Sequence, residues 1–368
     1  MRTVKIYLGL IGLLLVMARM VLAQASFPYP KISYQPRQYV CYRATGSLSI
    51  DGKLNEKDWQ SAPWTETFVD IEGSLKPKPR FETRVKMLWD DTYFYVAAYL
   101  QEPDVWARLK QRDTIIYHDN DFEIFIDPDG DTHEYYEFEI NALGTYWDLF
   151  LTRPYRDRGC ALTGWDAKGF RSAVSVDGTL NNPADTDRGW QVEIAIPWRA
   201  LKKCAHCSAP PHDGDQWRVN FSRVEWKVDK SAGYYRKQIN PQTGKPFPEE
   251  NWVWSPQGLV AMHYPEMWGL VQFSGKGVGT SHVPFAWRTD EEAKWLLFLV
   301  YYAERSYFKR YGRFTGNINE LSIKPQIVPG YRWPPRIEAT DDCFEAVLFP
   351  ETRGKSWRIR QDGKVWQY

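Results

Sequence analysis

Along much of the chain, apolar and polar residues alternate with the period of two that turns one side of a β-strand inward and the other outward. In "FETRVKMLWD", Thr83, Val85 and Met87 fall on one side, Arg84 and Lys86 on the other. Asp90-Asp91 then turns the chain into "YFYVAAYL", a continuous apolar run suited to the centre of a sandwich. The runs "FEIFID", "YYEFEI", "TYWDLFL", "RSAVSV", "GWQVEIAI", "WRVNFSRVEW" and "WGLVQF" follow, separated by Gly, Pro, Asp and Asn. Short strands at this spacing, with little helix between them, predict an all-β fold: an antiparallel two-sheet β-sandwich of jelly-roll or Ig-like type. One short helix is expected ahead of them in "NEKDWQSA", with Asn55 as its N-cap and Trp59 as its buried anchor.

Near Gly275 the pattern changes. "GKGVGTSHVP" reads as a flexible linker. Beyond it "TDEEAKWLLFLVYYAERSYFKRYG" has an acidic start, an apolar stripe and a basic last turn closed by Gly312, which are helix signals. "FEAVLF" and "KSWRIRQDGKVWQY" close the chain as hairpin strands. At the other end, Arg2 and Lys5 precede the apolar run Ile6 to Val16 and small residues, the pattern of a signal peptide cleaved near Ala23 or Ala25. The expected organisation is a signal peptide over 1–25, an extended leader over 26–44, the β-sandwich over 45–275, a linker over 276–286 and a small α+β C-terminal module over 287–368. The mature protein is then exported, periplasmic or secreted, with no transmembrane domain.

Composition narrows the partners. A net charge of +1, with no run of like charge, excludes nucleic acid as the main partner. The 18 Trp and 22 Tyr exceed what a core requires, and a flat indole suits the apolar face of a sugar ring. Export favours a local disulfide between Cys204 and Cys207 over a zinc site, because a second C-x-x-C is missing.

The acidic stretch "HDNDFEIFIDPDGD" concentrates the candidate chemistry. Strand parity turns Phe122, Ile124 and Ile126 to one side and Glu123 and Phe125 to the other. In "EYYEFEINALG" it sets Glu137, Glu139 and Asn141 opposite Tyr136, Phe138 and Ile140. Two neighbouring strands would so present carboxylates and an amide on one concave sheet face. "DPDGD" supplies Asp127, Asp129 and Asp131, whose oxygens suit a structural calcium and equally suit a turn between strands. No cofactor is otherwise required. No nucleophile motif appears, and Glu-x-Glu spacing alone does not single out a glycoside hydrolase.

Taken in order, "IDGKLNEKDWQSA", "VKMLWDDTYFYVAAYLQEPDV", "DNDFEIFIDPDGD", "GWQVEIAIPWRAL", "WRVNFSRVEW" and "PEMWGLVQF" resemble the carbohydrate-binding module family 9 sandwich, over about Ser47 to Phe273. The resemblance implies a calcium-containing β-sandwich that grips a glycan end between two Trp and travels with hydrolases without being the catalyst. Position by position, it puts the family's hydroxyl-binding glutamate at Glu123 and its first clamp Trp at Tyr117. It puts the strand arginine at Glu139, a change of sign, and the second clamp Trp near Met262. The expected function is saccharide binding, linked to polysaccharide breakdown or uptake. Tyr117 would stack, Asn120, Glu123, Glu139 and Asn141 would bond hydroxyls, and Trp147, Trp254 and Trp268 are candidate second platforms. The alternatives are a glycoside hydrolase, an interaction scaffold, or a haem-binding sandwich subunit suggested by Met262-His263; as neighbours on a strand, those two would face opposite ways.

Overall fold

The computed structural model describes residues 26–202 and 207–368; the signal-peptide reading and the Cys204–Cys207 disulfide fall outside the described residues. The chain divides into two compact units, one of residues 30–287 and one in which the stretch before residue 30 joins residues 288–368.

In the larger unit the alternating runs become strands β1 (Gln38–Arg43), β2 (Thr83–Trp89), β3 (Tyr93–Gln101), β4 (Asp121–Asp127), β5 (Tyr135–Asn141), β6 (Tyr146–Leu151), β7 (Arg171–Asp177), β8 (Gly189–Pro197), β9 (Gln216–Glu225), β10 (Glu250–Val253) and β11 (Gly269–Gly277). They join in one continuous sheet, in the order β6-β5-β4-β9-β11-β1-β2-β3-β8-β7, with β10 beside the second half of β9. The two halves of this sheet pack face to face. Phe122, Ile124 and Ile126 of β4 and Tyr136, Phe138 and Ile140 of β5 share one core with Val85 and Met87 of β2, Val96 of β3 and Val192 and Ile194 of β8. Each such side chain contributes about 1.5–3 kcal/mol by leaving water. The core also takes up much of the tryptophan surplus, since Trp59, Trp106, Trp190, Trp217, Trp254 and Trp268 are all fully buried.

The sandwich is antiparallel except at β1, which runs parallel to both β11 and β2. This corrects the expected leader over 26–44: its second half is an interior strand, with Tyr39 and Cys41 in the core. Only those two residues carry the strand period, inside a proline- and tyrosine-rich stretch. The expected linker is corrected too. Lys276 and Gly277 extend β11, and Val278 is buried. Val283 N donates to Tyr42 Oη at 2.9 Å and Ala286 N to Gln272 Oε1 at 2.7 Å. Of its glycines, Gly279 (φ 75°) serves a turn, in a segment bonded along the sandwich.

Helix α1 (Lys57–Ser61) is anchored by Trp59 as expected, but Glu56 rather than Asn55 stands at the N-cap. Asp58 turns back to accept from Thr45 N at 2.6 Å. Trp59 Nε1 donates to Glu193 Oε1 at 2.7 Å, and Glu193 Oε2 accepts from the backbone N–H groups of Asp51, Gly52 and Lys53. One carboxylate thereby pins the whole turn onto β8. A further short helix, α2 (Trp198–Leu201), follows β8.

In the smaller unit, helix α3 (Thr289–Tyr311) ends at Gly312 in the left-handed conformation, φ 72°. It packs against the four-stranded antiparallel sheet of β12 (Arg336–Ala339), β13 (Phe344–Leu348), β14 (Trp357–Arg360) and β15 (Val365–Gln367). No described helix is long and apolar enough to cross a membrane.

Candidate ligand-binding site

Strand register builds the site in rows. Glu123 of β4 stands opposite Glu139 of β5, which stands opposite Trp147 of β6. In the next row Phe125 faces Glu137, which faces Leu149. All six turn away from the sandwich core, as strand parity requires. They do not form the open concave face expected from the sequence. The segment between β10 and β11 folds over them, held where Trp268 Nε1 donates to Met262 O at 2.8 Å and where Tyr135 Oη meets His263 Nδ1 at 3.0 Å. Between sheet and cover lies a cavity of about 620 Å³ lined by Tyr117, Glu123, Phe125, Glu137, Glu139, Trp147 and Tyr155, with Glu249, Asn251, Met262 and His263 among the facing residues.

Two features of this cavity stand out physically. The first is aromatic. Tyr117 and Tyr155 are 37% and 49% exposed at its mouth, and the Tyr155 ring lies 4.5 Å from that of His263, edge to face. Trp147 is half-buried, and its Nε1 is sealed from solvent without a hydrogen-bond partner. A buried donor left unpaired costs about 1–3 kcal/mol, which an acceptor on a ligand would recover.

The second feature is charge. Glu123, Glu137 and Glu139 are buried, and no described basic side chain pairs with them. Burial and neighbouring carboxylates push Glu137 and Glu139 well above the usual carboxylate range, and burial pushes Glu123 up to about 7. Asp121, next outward on β4, is raised in the same way. Oxygens of Asp121, Glu123 and Glu139 lie within 4.8 Å of one another. Two full charges at that separation repel by about 3 kcal/mol at an effective dielectric of ~20. His263 brings no compensating charge, because burial and then Arg156 lower its pKa to about 3.

The other candidates take other roles. Asn120 is buried away from the cavity, its Nδ2 donating to Glu102 and Glu225 and its Oδ1 accepting from Trp226 N. Asn141 lies on the expected face but is fully buried: Nδ2 donates to Leu109 O and Asp119 Oδ2, and Oδ1 accepts from Leu143 N and Thr145 N. Both amides organise loops and have nothing left for a hydroxyl. Trp254 and Trp268 are corrected from platforms to supports. Trp254 packs on Phe221 at 5.8 Å, with Gly269 so close that a Cβ there would meet the indole at 2.3 Å. Trp268 packs behind the cavity wall on Phe125 at 5.5 Å and Tyr135 at 5.2 Å. Met262 and His263 sit in a loop rather than on a strand, so both border the cavity, on one wall. Opposite axial positions on a haem are out of reach of that pair.

Asp127, Asp129 and Asp131 come together with their oxygens within 4.8 Å of one another. Asp127 accepts from Gly130 N and Thr132 N, and burial with the nearby Asp129 and Asp131 raises its pKa well above the ordinary value. This donor set fits a hard divalent cation. Tyr155, Glu249 and Asn251 went unrecognised in the sequence, because each reaches the cavity from a loop or edge with no period to mark its direction.

Comparison with known proteins bears on these rows directly. Residues 50–211 match the family model described as carbohydrate family 9 binding domain-like. This stretch is similar to that family. The chain is 27% identical over 157 residues to endo-1,4-beta-xylanase A of Thermotoga maritima and 30% identical over 157 residues to endo-1,4-beta-xylanase A of Thermoanaerobacterium saccharolyticum. The matches cover 43% and 42% of this chain but 13% and 11% of those longer proteins. Among solved structures, the family 9 carbohydrate binding module of Caldicellulosiruptor kristjanssonii is similar. Its cellotriose complex has 16% identity and TM-score 0.41, covering 68% of this chain and 100% of that one. Its glucose complex has 17% identity and TM-score 0.41, covering 67% and 100%. The matched residues 50–211 contain the wall from Tyr117 to Tyr155, whereas Glu249, Asn251, Met262 and His263 lie beyond them.

Proposed function

We propose that this is an exported, non-catalytic carbohydrate-binding protein whose cavity over β4, β5 and β6 holds a saccharide. The observation that carries the reading is the convergence of Tyr117, Trp147 and Tyr155 with the carboxylates of Glu123, Glu137 and Glu139 on one cavity. Aromatic faces offer the C–H side of a sugar ring a contact that water does not match, while carboxylates accept from its hydroxyls. The family 9-like match supports carbohydrate as the ligand class. Affinity is expected to be micromolar or weaker, because hydroxyl bonds largely trade with water. In this reading Asp127, Asp129 and Asp131 hold a structural calcium that fixes the turn after β4.

The hydrolase alternative finds less support. Glycosidases separate two carboxyl groups by about 5–9.5 Å and set their proton affinities apart, one acid beside one ionised partner. Here burial raises Glu123, Glu137 and Glu139 alike instead of setting one apart from another.

Calorimetric titration of the full chain against mono- and oligosaccharides, beginning with glucose and cellotriose, tests the proposal. Binding that is lost in a Tyr117→Ala, Glu123→Gln double variant is the expected result. Absence of heat across the panel, or undiminished binding by the variant, contradicts it. Release of reducing sugar would restore the hydrolase reading.

A further inference from the structure

We infer that the cavity contains a second site for a hard divalent cation, calcium by its oxygen donors, formed by Asp121, Glu123 and Glu139. Only for what fills its outer coordination positions does this rest on the saccharide reading.

Oxygens bound to one calcium at about 2.4 Å lie at most about 4.8 Å apart, and the three carboxylates meet that bound without rearrangement. Register explains why. Glu123 and Glu139 are directly opposed across β4 and β5, and Asp121 is two residues from Glu123 on the same face. Proximity alone would not make a site. The second observation is Asp121: fully buried, it accepts from Val224 N at 3.3 Å through Oδ1, while Oδ2 is sealed from solvent with no partner. A buried carboxylate oxygen without a donor, set into a group of two further carboxylates, calls for a positive ligand. Among the described residues, no arginine or lysine lines the cavity to supply one.

The surroundings suit a cation held at one end of the cavity. Glu139 Oε2 accepts from Tyr117 N at 3.1 Å, which orients the carboxylate. Glu123 and Glu139 border the open volume, and Asp121 is two residues before Glu123 on the same strand. Calcium takes six to eight oxygens, so three carboxylates leave positions facing the cavity for water or for sugar hydroxyls. The site is separate from the Asp127, Asp129 and Asp131 group, which begins at the other end of β4.

The test uses the full chain freed of metal by a chelator and titrated calorimetrically with calcium chloride, without sugar. Glu139→Gln and Asp121→Asn are each expected to lose one calcium per chain relative to wild type, or to bind it at least tenfold more weakly. Asp129→Asn is expected to leave this site intact. Terbium provides a readout that needs no variant: bound beside Tyr117 and Trp147, it is expected to luminesce on aromatic excitation and to be displaced by calcium. Equal calcium stoichiometry and affinity in wild type and the folded Glu139→Gln variant overturns the inference. So does heat with glucosamine and none with calcium, which would assign the cavity's charge to an amine ligand. Calcium uptake without any saccharide binding would leave the cation site standing and remove the saccharide reading instead.

Discussion

At the scale of single residues, Trp147 is the most informative position in the cavity. Its ring borders the open volume, its backbone is in register with Glu139, and its Nε1 has no partner. Trp147→Ala removes both a stacking face and a donor, contributions of about 1 kcal/mol each, so saccharide affinity is expected to fall by roughly tenfold or more. Trp147→Phe keeps a face without the N–H and is expected to lie between the two in calorimetric titration. Equal affinity of all three proteins would remove Trp147 from the site. The parity of Glu123, Glu137 and Glu139 was legible in the sequence, because strand period dictates side. What Asn120 and Asn141 bond to was not. Their partners Glu102, Glu225, Leu109 and Asp119 arrive from other segments, and no local pattern encodes those meetings.

At the scale of elements, the turn over 49–54 depends on one side chain of β8. Glu193 accepts from three consecutive backbone N–H groups and from Trp59. Glu193→Ala leaves those donors facing a void and is expected to cost on the order of 3 kcal/mol, read as a lower urea midpoint at unchanged slope. In α3, Glu304 makes a different demand. Fully buried, it accepts from Thr315 N at 3.1 Å through Oε2, while Oε1 has no partner. Burial, with Glu320 adding to it against the Thr315 bond, pushes its pKa up to about 7 from 4.5. Between those values the folded chain keeps a proton that the unfolded chain has released, so stability falls as pH rises from about 4.5 to about 7. Glu304→Gln is expected to melt near wild type at pH 4.5 and several degrees higher at pH 8, with a gain of about 2 kcal/mol. Parallel melting curves at both pH values would contradict this. The strands from β2 to β9 and the helix α3 were readable from period and caps. β1 was not, because its place between β11 and β2 follows from sheet closure and not from its own short, proline-flanked sequence.

For the whole molecule, that misreading carries a consequence. A sandwich bounded at 45–275 would lack β1, and with it Tyr39 and Cys41 from the core. A fragment of residues 30–287 is therefore expected to fold and to bind saccharide as the full chain does, whereas a fragment beginning at residue 45 is expected to lack cooperative unfolding. Circular dichroism melting of the two fragments distinguishes them; equal cooperativity would contradict the role given to β1. The chain's aromatic richness also divides at this scale, between Trp residues that stiffen the core and a few aromatic residues that face the cavity. The central claim is that a saccharide occupies the volume over β4, β5 and β6. A crystal structure of the protein soaked with the tightest-binding saccharide tests it most directly. A sugar ring against Trp147 or Tyr117, with hydroxyls at Glu123 and Glu139, is the result expected; a sugar bound elsewhere, with this cavity holding only water, would contradict the account.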